Sequence, residues 1–182
     1  MARLFIAIDL PEEIKSYLTS FRDAFSEMKR GCSWVRRENL HITLKFLGEV
    51  EEKKVGAITG RLEKINLSNF SLALNKFCFF PNESDMRVFW MDFIDEKPLK
   101  ILSKEINNTL TEFKEDHPFK DHLTLARIKS LSALEKNNWI KKTTDVVTEK
   151  KQFIVQEFIL YRSTLSREGP QYEVLQRFKL TK

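Results

Sequence analysis

Two of the three histidines in this 182-residue chain stand in matching strings, His41-Ile42-Thr43-Leu44 and His122-Leu123-Thr124-Leu125, one in each half. Side chains on an extended strand alternate between faces, so His41 and Thr43 share one face and Ile42 and Leu44 the other. The second string has the same parity. Each string thus offers an imidazole and a hydroxyl together and turns its aliphatics to a core. If the two halves face one another, two imidazoles and two hydroxyls converge in a cleft. One neutral imidazole can take a proton from water and one imidazolium can protonate a leaving alkoxide, both near neutral pH. The hydroxyls can hydrogen-bond the non-bridging oxygens of a phosphate. Nothing in that set calls for a metal or a cofactor. A lone strand histidine is most often structural, and a lone strand threonine is ordinary β-propensity. The duplication of the string is what favours chemistry.

The elements that must position these strings follow from periodicity. A β-branched and aromatic run predicts a buried strand over residues 4–8. Pro11-Glu12-Glu13 then opens a helix whose apolar face is Ile14, Leu18, Phe21, Phe25 and Met28, ended by Gly31. A strand is expected over 40–47 and a helix over 51–65. Two further strands over 70–80 and 87–93 flank the turn-forming Pro81-Asn82-Glu83-Ser84-Asp85. The second half repeats the order: a helix over 97–114, a strand over 122–128, a short helix over 131–142 and one strand over 152–161. Gly169-Pro170 marks a turn before a last strand carrying Tyr172, Val174 and Phe178. Several connections are too short for parallel crossovers, which predicts an α+β architecture of antiparallel sheet with helices on one side.

Composition adds little but excludes some classes. Apolar residues make up 42% and charged residues 31%, ordinary for a globular chain. The net charge of +5 suits a polyanionic partner such as RNA without demanding one. Cys32 and Cys78 lack metal-ligand spacing and read as reduced cysteines of a cytoplasmic protein. No segment has the apolar length of a membrane span.

Four segments are similar to the bacterial and archaeal RNA 2′,3′-cyclic phosphodiesterases, historically called 2′–5′ RNA ligases, of the two-histidine phosphoesterase superfamily. They are Arg3-Leu4-Phe5-Ile6-Ala7-Ile8-Asp9-Leu10-Pro11, the run from Glu38 to Gly48, His122-Leu123-Thr124-Leu125-Ala126-Arg127, and Gly169-Pro170-Gln171-Tyr172. Two departures stand out. Asp121 occupies the place of a frequent proline before the second histidine, and Arg36-Arg37 the place of another before Glu38-Asn39. Strand parity turns Asp121 away from the cleft.

The resemblance implies one domain, residues 1–182, built of two pseudo-symmetric, pseudo-repeated lobes with helices on the outer faces. It implies hydrolysis of RNA 2′,3′-cyclic phosphate ends to 2′-phosphomonoesters by a cytoplasmic, monomeric enzyme needing no metal and no cofactor. His41 and His122 are the implied catalytic pair, with Thr43 and Thr124 on the phosphate. Arg127 is implied beside the phosphate and Phe46 as a stacking platform for a base, yet strict parity places both on the core face. Lys45 shares parity with His41, and His117 reads as a loop residue. Ligation of cyclic-phosphate and 5′-hydroxyl ends, a small cyclic phosphate as substrate, and a non-catalytic RNA-binding module stand as alternatives. A metal hydrolase would need acids on the histidine face, which neither string has.

Overall fold

Strand β1 (Ala2–Asp9) keeps an unbroken alternation: Leu4, Ile6 and Ile8 join the main core, while Phe5 and Ala7 form a small separate cluster with Ile159, Tyr161 and Tyr172 on the opposite face. The computed structural model describes residues 1–25, 31–113, 120, 122–146, 148–167 and 169–181. Met28, His117 and Asp121 lie outside them.

Helix α1 (Glu12–Ala24) follows, with its acids in the first turn and Ile14, Leu18 and Phe21 buried. A short strand that periodicity did not mark, β2 (Cys32–Trp34), and a 3-10 turn at Arg37–Asn39 lead into β3 (His41–Val50). Helix α2 (Glu52–Leu62) buries Ile58 and Leu62 and connects to the hairpin of β4 (Phe70–Pro81) and β5 (Met86–Phe93). The Asn82 carboxamide oxygen accepts from the backbone of Ser84 and Asp85 and closes that turn. Helix α3 (Lys97–Thr109), strand β6 (Leu123–Ile128) and helix α4 (Ala133–Asp145) follow. A capping box between Ser132 and Glu135 starts α4. The single strand expected over 152–161 is two, β7 (Gln152–Val155) and β8 (Glu157–Ser166), and β9 (Gly169–Lys179) ends the fold.

All pairings between these strands are antiparallel, in the order β7-β4-β5-β6-β3-β1-β8-β9, with β2 added to β6. The midline is the contact of β3 with β6, and it is a single register pair, Ile42 with Leu123. Beyond it the two strands part, and β2 pairs with the freed edge of β6. The lobe around β6 takes β4 from the first half of the chain, and the lobe around β3 takes β8 and β9 from the second. Each half therefore hands its closing strands to the other lobe. That is why the periodic run over 152–161 breaks: with only Gln156 between them, β7 pairs with β4 and β8 with β1.

The core lies between the sheet and the helices. Leu44 and Leu125 of the two strings share it with Leu99, Leu102 and Ile106 of α3. The Phe-rich composition reappears as an aromatic cluster in the β6 lobe, where the rings of Phe25, Phe89 and Trp139 pack with centroids 4.9–5.4 Å apart.

Candidate active site

Continuing the Ile42–Leu123 register by one residue sets His41 across from Thr124 and Thr43 across from His122. The two histidines are then diagonal neighbours, a relation of roughly 7–8 Å in a regular ladder. All four side chains line one cleft of about 550 Å³, together with Phe46 and Arg127. The six residues singled out by sequence are thus brought together.

The imidazoles are held alike. His41 Nδ1–H donates to the Asn39 carbonyl at 2.7 Å, and His122 Nδ1–H donates to the Lys120 carbonyl at 2.7 Å. A carbonyl can only accept, so Nδ1 carries the proton in both rings and Nε2 is the exchangeable position. The Thr43 hydroxyl lies 3.0 Å from His41 Nε2. Rings box each imidazole. Phe5 and Tyr172 sit 5.1 and 5.3 Å from His41, and Phe80 and Trp90 sit 5.3 and 6.1 Å from His122.

This packing removes water, and burial pushes both histidines below their usual pKa of 6.5. Their charged neighbours differ. At His41 the hydrogen bond to Asn39 and then the Asp9 carboxylate restore part of the loss against the charges of His122 and Lys15, whereas at His122 only the hydrogen bond to Lys120 does so and Arg127 and Lys120 press the ring further down. Asp9 itself is held by the buried Lys15 at 2.7 Å and by the Leu10 amide.

Strict parity fails at Phe46 and Arg127 for one reason, repeated. In β3 the pairing with β1 skips Leu44, so Leu44 and the buried Lys45 both turn to the core. In β6 the pairing with β5 skips Leu125, so Leu125 and Ala126 both turn inward. Each is a β-bulge three to four residues after the histidine, and each resets the alternation. Phe46 and Arg127, five residues past their histidines, thereby return to the cleft face. Lys45 corrects its expected parity: it is buried and hydrogen-bonds Asn107 of α3 behind the sheet.

Several residues of the site carried no chemical signal in the sequence. Asn39 is one: its carbonyl fixes His41 and its buried amide donates to the Pro170 carbonyl at 2.8 Å, tying the turn before β3 to the start of β9. Phe5, Phe80 and Trp90 are others, read as strand aromatics. Arg36 lines the cleft near Glu38, while Arg37 pairs with Glu12.

The family model described as LigT like Phosphoesterase matches residues 8–90 and 95–172, one span over each half. The RNA 2′,3′-cyclic phosphodiesterase of Methanocaldococcus jannaschii is 36% identical over 179 residues, covering 97% of this chain and 99% of its own. A crystal structure of a Thermus thermophilus protein superposes with a TM-score of 0.81 at 29% identity, covering 97% of each chain. Escherichia coli LigT complexed with 3′-AMP gives 0.80 at 29% identity, over 100% of this chain and 99% of that one. Since the match runs through both His-x-Thr strings and the strands exchanged between the lobes, the chain belongs to the LigT-like phosphoesterase family.

Proposed function

We propose that the protein hydrolyses the 2′,3′-cyclic phosphate at the end of an RNA to a 2′-phosphomonoester. The observation that carries this reading is the pair of imidazoles with identically fixed Nδ1–H donors, both in one cleft with a threonine hydroxyl from each string. The name of the M. jannaschii relative and the 3′-AMP complex of the E. coli one support it. A 3′-phosphorylated nucleotide carries its phosphate where the cyclic ester would sit.

His122 is the general base and His41 the general acid. Arg127 and Lys120 favour the neutral form of His122, whereas at His41 the Asp9 carboxylate offsets part of the effect of burial and of the Lys15 charge. His122 Nε2 takes a proton as water oxygen bonds to phosphorus. The P–O3′ bond breaks, and the 3′ oxygen leaves with the proton of His41 Nε2. Thr43, Thr124 and Arg127 hydrogen-bond the non-bridging oxygens, where charge accumulates. Phe46, 62% exposed on the rim, offers a flat apolar face for the terminal base. The protein acts as a cytoplasmic monomer in this reading, and its two free cysteines fit a reducing compartment. No described helix is long and apolar enough to cross a membrane.

The test is an RNA oligonucleotide with a 2′,3′-cyclic phosphate end, incubated in EDTA with wild type, His41→Ala and His122→Ala. The wild type forms a 2′-phosphate end, and each variant loses roughly 10²–10⁴-fold in rate. A 3′-phosphate product, or turnover undiminished in both variants, refutes the reading.

A further inference from the structure

The cleft face of β1 runs Asp9, Ala7, Phe5, Arg3, parallel to the catalytic row on β3. Asp9 pairs in register with His41, Ala7 with Thr43 and Phe5 with Phe46. Arg3 is the next cleft-facing residue outward, exposed and lining the same cleft. Four residue steps along the strand separate it from Ala7, about 13 Å of backbone. The floor therefore presents a proton donor, a hydroxyl, an aromatic face and a guanidinium in sequence.

Arg3 makes no ion pair among the described residues, although Glu49 is its register partner on β3. Its charge is directed instead at the cleft. The phenol of Tyr172, raised by burial, is drawn the other way by Arg127 and Arg3 together. These two guanidiniums thus address the cleft, Arg127 from the catalytic strand β6 and Arg3 from beyond Phe46.

We propose that Arg3 is a specificity-determining residue that binds the phosphodiester joining the terminal nucleotide to the rest of the strand. The enzyme then prefers an oligonucleotide end to a mononucleoside cyclic phosphate. The inference rests on the cyclic-phosphate reading above. With the cyclic phosphate at the histidines and its base on Phe46, the nucleotide's 5′ phosphate projects outward along β1, toward Arg3. A planar guanidinium fork suits two phosphodiester oxygens better than a lysine ammonium does.

Binding and turnover together test it. Equilibrium binding of adenosine 3′-monophosphate and of adenylyl-(3′→5′)-adenosine 3′-monophosphate is compared for wild type, Arg3→Gln and Arg3→Lys. Arg3→Gln loses roughly tenfold more affinity for the dinucleotide than for the mononucleotide. Its dinucleotide salt slope falls by about 0.7, the value for one contact on a single strand. Arg3→Lys restores the slope but only part of the affinity. A neutral methylphosphonate internal linkage erases the difference between wild type and Arg3→Gln. Equal losses on both ligands, or no loss, overturn the inference. Hydrolysis of the matching cyclic phosphates is followed in parallel. Cleavage of neither by wild type, with the Arg3-dependent binding difference intact, refutes the catalytic reading and leaves the subsite standing.

Discussion

His41 and His122 each donate Nδ1–H to the carbonyl two residues upstream, so the local backbone sets the tautomer, and either ring could serve as acid or base. What separates them is charge nearby: a carboxylate, Asp9, with its partner Lys15 at one ring, and only the cations Lys120 and Arg127 at the other. Burial lowers both pKa values from 6.5, and this fixes the sign of the pH dependence. The acid is lost as pH rises through its pKa, and the base is lost as pH falls through its own. With both below 6.5, the bell of kcat/KM, which reports the free enzyme, peaks on the acid side of pH 6.5. A kcat/KM profile on a cyclic phosphate checks this; a maximum near pH 8 would contradict it. Such pairing of residue types was legible in the strings themselves. The aromatic boxes and the Asn39 latch were not, because they bring together residues far apart in the chain.

The strands show where counting along a sequence stops working. Alternation assumes an unbroken pleat. It holds along β1, and it fails at Leu44-Lys45 and Leu125-Ala126, where nothing in the residue types announces a bulge. The family resemblance placed Phe46 and Arg127 at the site, while parity argued against both; the bulges reconcile them. Strand β2 was too short for periodicity to reveal. Two glycines sustain the irregular backbone. Gly48, beside a second register shift in β3, has φ +69°, with open space where a Cβ would stand. Gly31 has φ +77°, and a Cβ there would collide with the Ser130 carbonyl. Gly48→Ala should cost about 1–2 kcal/mol from the left-handed conformation alone. Gly31→Ala carries that cost and the backbone collision, so its urea midpoint falls further. Equal midpoints for the two variants would refute the collision argument.

The exchange of strands between halves joins the lobes more firmly than their single midline pair would suggest. Neither half of the chain holds a complete lobe, so partial unfolding of one removes strands from the other. The tryptophans make this measurable. Trp34, Trp90 and Trp139 lie in β2, β5 and α4, all on the β6 side, so their fluorescence reports one lobe while far-UV circular dichroism reports both. The two probes should give coincident urea transitions with equal midpoints. A dichroism transition with a second step unseen by fluorescence would show that the lobes melt separately.

The same stitching bears on how a ligand is captured. A protein whose lobes are hinged by one linker can bite; here the chain crosses the midline repeatedly, through α2 and again at Gln156. Among the described residues the floor of the trough is one continuous sheet, not two hinged jaws. In the reading proposed above, an RNA end meets a groove whose floor is already shaped by that sheet, and it departs by the same open side.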